Sequence, residues 1–206
     1  MVIVAILATG VVFMFANPSA KSKNQAFTLL GELNMARSEA VNQNEDVTVE
    51  FLDDISDECQ EQIAKCTTAG NYDGYLICLD TGGGGFCTDE SADDIIRTTI
   101  FRKEVQYYDP NSVPAGPGPA LTPGGANLIG KSGIVLDDVA ATEVTNFSME
   151  SDGTLEDGIT ENINVVIFVP KETHNVIYGA PYAITIGPST GRVRITRWTS
   201  GAWATK

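Results

Sequence analysis

The first sixteen residues, MVIVAILATGVVFMFA, carry no charge, although the 206-residue chain has a formal net charge of −14. A run that is apolar on every side suits lipid or the middle of a helical bundle, not a surface helix, which needs one face toward water. As a helix it spans about 24 Å against a hydrocarbon core of about 30 Å, roughly one turn too little. Three readings are open: a cleaved secretory signal, a plain core helix, and a membrane-inserted helix whose first residues precede Met1. A signal wants a basic segment before the apolar run and a small-x-small site after it, and neither is present. A core helix would show polar positions toward its ends.

The residues after the apolar run favour the membrane-inserted reading. Beyond Asn17-Pro18 the sequence SAKSKNQAFTLLGELNMARSEAVNQN keeps helical periodicity, with Ala26, Leu29, Leu30, Leu33, Ala36, Arg37 and Ala40 on one side at i, i+3, i+4 spacing. Lys21, Lys23, Glu32, Asn34, Ser38 and Glu39 lie largely off that stripe, so this half is amphipathic and has a domain to pack on. Pro18 bends or loosens a helix continuous with the apolar run. Asn44 is placed as a left-handed cap.

The remainder reads as an antiparallel β domain. Val47–Phe51, Tyr75–Leu79, Thr98–Gln106, Glu143–Met149, Asn164–Val169, Ala183–Ile186 and Gly191–Arg197 are β-branched or aromatic-rich and bounded by turn residues. Several short strands with one helix make the class α+β. Residues 110–125, PNSVPAGPGPALTPGG, are too rich in Pro and Gly for a regular element. Since 43% of the chain is hydrophobic, it fills a core without the apolar start. Its 27 acidic against 13 basic residues argue against broad adhesion to nucleic acid or anionic lipid.

These features resemble the type IV pilin-like proteins, and within them the minor pseudopilins of the GspH/FimT type. The matching pieces are the apolar helix with its proline, LLGELNMARSEAVNQNEDVTV, YDGYLICLDTGGGG, FSMESDGTLEDG and ITIGPSTGRVRITRW. ARSEAVNQN running into a strand, with GRVR near the C-terminus, is the most specific combination. The resemblance implies a pilin-like α+β fold in which one long N-terminal helix packs on an antiparallel β-sheet domain. Residues 1–44 would form the helix, 1–16 for the membrane or filament core and 17–44 against the domain, and residues 45–206 the globular part.

By the same resemblance the chain is a non-enzymatic, minor-pseudopilin-type subunit of a type IV pilus or type II secretion pseudopilus. It would sit as a single-pass protein of a bacterial inner membrane with a periplasmic domain, then in a periplasmic or extracellular filament. Val2, Ile3, Val4, Ile6, Leu7, Val11, Val12, Phe13 and Phe15 would meet lipid first and the helices of other pilin or pseudopilin subunits later. A major pilin forming the fibre itself is the alternative within the class. Aligned on the family, Met1 falls inside the mature chain, whose leader and first residues would precede it.

Four cysteines fall within one short region, and none of their spacings suits zinc. In a domain outside the inner membrane the even count points to disulfides. Of three connectivities the local one, Cys59 with Cys66 and Cys78 with Cys87, is preferred, because CLDTGGGGFC reads as a glycine-tipped loop with cysteines at its base. His174 is the single histidine and has no nucleophile sequence near it, so no catalytic constellation is expected. No cofactor is expected either; Ca2+ at the carboxylates of SDGTLEDG, 151–158, or DESADD, 89–94, is the weaker reading, since neither has EF-hand spacing. Against the global charge stands GRVRITRW, in which Arg192, Arg194, Arg197 and Trp198 make a basic, aromatic-flanked terminus. Period-two spacing puts Arg192 and Arg194 on one face of a strand. Gly191, Arg192 and Arg194 match an element that in the FimT branch is associated with binding incoming DNA. The alternative is pairing with carboxylates of this chain or of a neighbouring subunit.

Overall fold

The computed structural model describes residues 18–55, 72–82, 85–89, 91, 94–101, 105–107, 127–130, 133–136, 146–156, 159, 162–168, 170–171, 176–177, 181–199 and 202–205. Residues 1–17, Cys59, Cys66, His174 and the stretch 110–125 lie outside that set.

Helix α1 spans Pro18–Gln43. Asn44 closes it with φ of 55°, the left-handed cap that ends many helices. Ser22, Ala26, Leu29, Leu33, Ala36 and Ala40 are fully buried. Their alternating spacings of four and three residues keep them on one side of the helix. Each leucine contributes about 1.5–3 kcal/mol through burial, and the alanines let the helix backbone lie close to the sheets.

In chain order the described strands are β1 (Val47–Ile55), β2 (Tyr72–Leu79), β3 (Ile95–Ile100), β4 (Gln106–Tyr107), β5 (Asn127–Gly130), β6 (Gly133–Leu136) and β7 (Asn146–Met149). They continue with β8 (Ile163–Phe168), β9 (Pro170–Lys171), β10 (Val176–Ile177), β11 (Tyr182–Ile186), β12 (Val193–Thr199) and β13 (Ala202–Thr205). One antiparallel sheet has the order β3-β2-β1-β7. A second runs β13-β12-β11-β8-β5-β6, with β4 pairing on β8 and β5 parallel to β8, while β9 and β10 form a separate two-stranded ribbon.

Alternation sorts the side chains by face. In the first sheet Val47, Val49 and Phe51 stand opposite Leu79, Ile77 and Tyr75, and Met149 and Phe147 continue the row. In the second, Ile184 is flanked by Ile195 and Val165, and Ile186 by Val193 and Ile163. These rows and the helix stripe form one core. The other face of the first sheet carries Leu76 and Cys78, packed with Cys87. Cys78 and Cys87 are disulfide-bonded, joining the end of β2 to a short 3-10 turn, Cys87–Asp89. Buried Glu50 holds that turn by accepting from Thr88 N at 2.9 Å and from the Thr88 hydroxyl at 3.2 Å.

The stretch Thr98–Gln106, expected as one strand, is divided between the sheets. β3 ends at Ile100, and pairing resumes at Gln106 and Tyr107 against β8. Buried Asp73 directs this crossing: its carbonyl accepts from Phe101 N at 2.7 Å and its carboxylate from Tyr107 N at 2.8 Å. The Tyr107 hydroxyl donates to the Gly74 carbonyl at 2.6 Å. Around this seam Phe51 lies 5.8 Å from Tyr107 and 5.9 Å from Phe147, and Phe101 lies 4.7 Å from Tyr107, the offset and edge geometries that aromatic quadrupoles favour.

Candidate functional site

The outward side of α1 is one candidate surface. Asn24, Phe27, Thr28, Gly31, Asn34, Ser38, Val41 and Asn42 are exposed and uncharged. Charges are confined to the flanks, with Lys21, Glu32 and Glu39 on one side and Lys23 and Arg37 on the other. Phe27 is 41% exposed and Val41 50%. A Cβ built on Gly31 would meet nothing within 4 Å. No contact with the described residues therefore requires glycine there, although glycine in a helix interior costs about 0.5–1 kcal/mol relative to alanine.

Glu32, on one flank, fastens the helix to the first sheet. Its carboxylate accepts from the Tyr75 hydroxyl at 2.7 Å and the Thr99 hydroxyl at 2.9 Å, and pairs with Arg97 at 3.2 Å. Burial and the adjacent Glu32 charge hold the Tyr75 hydroxyl protonated well above the usual phenol range.

Arg37, on the other flank, ties the helix to two turns. Its Nε donates to the Gly153 carbonyl at 3.0 Å. Gly153 and Gly191 both have positive φ, 81° and 55°. A Cβ on Gly191 would sit on the Gly153 carbonyl oxygen, so the two turns cross backbone to backbone. Leu155 N donates to the Pro188 carbonyl at 3.0 Å, a second link between the same turns. The arginine of ARSEA, the glycine of SDG and the glycine of GRVR thus meet at one junction.

Beyond the junction, the β11–β12 hairpin ends in a cleft of about 220 Å³ lined by Asn162, Thr185, Gly187, Pro188, Ser189, Thr190, Arg192 and Arg194. The tip is ordered by Gly187 N donating to Arg192 O at 3.0 Å and Arg192 N to the Thr190 hydroxyl oxygen at 3.2 Å. Arg192 and Arg194 are exposed and border the same cleft. The placement of Arg192 differs from expectation: β12 begins at Val193, so Arg192 belongs to the turn. Arg197 points the other way, paired with Tyr182 on the alternation that carries core residue Ile195, and is half-buried. Trp198 pairs in register with Trp203. Strand alternation therefore separates Arg197 from Arg194.

The acidic turns serve their own backbones. Asp152 accepts from Thr154 N at 2.8 Å and its hydroxyl at 2.7 Å, and those bonds hold its carboxyl below the usual range. Asp94 accepts from the Ser91 hydroxyl at 2.6 Å. Among the described residues no three His, Cys, Asp or Glu side chains gather as metal ligands. Half-buried Glu156 has its carboxyl pushed up by burial, and further by Glu150, Asp80 and Asp46. Sequence reasoning missed the roles of Glu32, Glu50 and Asp73. For Glu50 and Asp73 the signal was a carboxylate inside a strand of otherwise buried residues.

A protein family described as type II transport protein GspH matches residues 25–202. The chain belongs to the GspH family. No curated protein and no solved structure matches it. Membership assigns the pilin-like α+β fold and a pseudopilin subunit of the type II secretion and pilus class, which assembles with other pseudopilins. The matched span begins within α1 and ends at β13, so it takes in the Arg37 junction and the arginine cleft. Among the described residues no helix is long and apolar enough to cross a membrane, and the segment Val2 to Phe15 lies outside them.

Proposed function

We propose that this GspH-family chain is a non-enzymatic pilin-like subunit of the minor type, held by its first sixteen residues in a bacterial inner membrane and assembled into a pseudopilus or pilus through its helix. The observation that carries this reading is the uncharged outer face of α1, centred on Gly31, in a chain of net charge −14. Phe27 and Val41 flank it with apolar surface that is about half exposed. A neighbouring helix brought against this face gains burial, and Gly31 allows its close approach. Lipid-exposed and water-exposed apolar area is exchanged for contact between helices, with the β domains turned outward.

A photo-activated cross-linker at Val41 in the full chain reports assembly directly. Cross-links from this position to another pilin-like subunit are expected, and their absence under assembling conditions refutes the reading. Abundance separates minor from major subunit: a trace amount in sheared filaments fits the minor role, whereas a filament made mostly of this chain assigns it to the major pilins. A DNA-binding minor pilin is the second reading, favoured by two exposed guanidiniums at one cleft. Salt-sensitive retardation of DNA, lost in Arg192→Ala and Arg194→Ala, would be its signature.

A further inference from the structure

We propose that the cleft at the β11–β12 hairpin is a carboxylate receptor, occupied in the assembled protein by an acidic side chain of a neighbouring pilin-like subunit. The inference rests on the subunit reading above and names what that subunit grips.

The cleft has the chemistry of an oxyanion site. Arg192 and Arg194 are exposed at its rim, and among the described residues neither has a carboxylate partner. Guanidinium groups offer forked N–H pairs that match a carboxylate. The Thr190 hydroxyl oxygen accepts from Arg192 N, which leaves its hydrogen to donate. Gly187 keeps the floor open without having positive φ: a Cβ there would press on the Thr190 hydroxyl at 3.2 Å. The frame is set before any ligand arrives, because the Leu155–Pro188 bond and the Arg37–Gly153–Gly191 junction anchor both sides of the hairpin end. A preformed site loses little ordering entropy on binding.

Size and charge choose the occupant. At about 220 Å³ the cleft is smaller than the ~300 Å³ at which small-molecule pockets begin, so it takes the end of a side chain more readily than a nucleotide. DNA presents a phosphate charge every ~1.7 Å and demands a track of cations, whereas this cleft offers two on a chain of −14. On so acidic a subunit, two arginines with no carboxylate partner among the described residues provide a local attraction for a neighbour's carboxylate and set its orientation.

The test places a photo-activated cross-linker at Ser189, an exposed and uncharged member of the lining. It uses the full chain under assembling conditions, with the same cross-linker at Val41 in a separate variant reporting helix contact independently. Cross-links from Ser189 to an Asp- or Glu-containing segment of a second subunit are expected. They should fall about tenfold in Arg192→Glu/Arg194→Glu, a loss equal to roughly 1.4 kcal/mol, while Val41 cross-linking persists. If Val41 links form and Ser189 captures no acidic segment, the receptor is refuted and the subunit reading stands. If Val41 links also fail, the subunit reading falls, and the receptor with it. Binding of a 20-nucleotide single strand that salt suppresses and the double reversal abolishes would overturn the proposal in favour of a nucleic-acid ligand.

Discussion

Replacing Gly191 by alanine tests the junction that holds the GRVR segment. The geometry implies three losses. A side chain at φ of 55° costs about 1 kcal/mol in the left-handed region. The new Cβ overlaps the Gly153 carbonyl oxygen, so the two turns must separate, with strain of about 1–3 kcal/mol. Separation also stretches the 3.0 Å bond from the Arg37 guanidinium, and a bond to a charged donor is worth about 1.5–3 kcal/mol. The terms share one movement and do not add fully, which leaves a net loss of about 3 kcal/mol. With a urea m-value of about 2 kcal/mol/M, the midpoint falls by about 1.5 M. Circular dichroism of the full chain in mild detergent measures it. Gly31→Ala serves as the internal control, since its Cβ meets open space, and should raise stability by about 0.5–1 kcal/mol while weakening assembly. A Gly191→Ala midpoint within about 0.25 M of the parent would show that the two turns do not cross as described.

Three further outcomes are expected. Cys78→Ser/Cys87→Ser opens a short loop and should lower stability by about 2–3 kcal/mol, measured as the difference between denaturation curves of oxidised parent and variant. Glu156 has a raised carboxyl, so the folded state binds its proton more tightly than the unfolded chain does. Stability from this residue is therefore lost as pH rises from the ordinary value of 4.5 through the raised one, and Glu156→Gln should flatten that decline in a pH series of melting curves. Glu32→Ala removes the acceptor of two hydroxyls and should cost about 1–3 kcal/mol. It should also bring the Tyr75 ionisation downward, visible in an ultraviolet titration at alkaline pH, because one of the two main influences raising it is gone.

Periodicity made the helix legible, since the stripe from Ala26 to Ala40 is a direct image of its buried side. Strands with alternating faces were equally readable at Val47–Phe51 and Ala183–Ile186, where apolar residues recur every second position. Where one stretch serves two sheets the pattern gave no warning: Thr98–Gln106 looks continuous, and only the two bonds from Asp73 divide it. Short strands such as Asn127–Gly130 and Ala202–Thr205 carry too few residues to show a period. The arginines were visible as residues but not as an arrangement. Arg192 and Arg194 share a cleft because a turn ends at Val193, whereas Arg197 is turned away by a parity that depends on where the strand begins. Gly191 looked like part of a ligand motif, and its conformation shows a reason for glycine that requires no ligand.

The Arg37 bond to Gly153 has a mechanical meaning as well. Successive residues of a helix point about 100° apart, so turning α1 by a single residue would swing the guanidinium off the two turns and release the hairpin end. The same helix also packs on β11 and β12 through the shared core, so its rotation is opposed twice, by apolar contact and by one directional bond. The register of the helix against the sheets therefore fixes where the hairpin end is held.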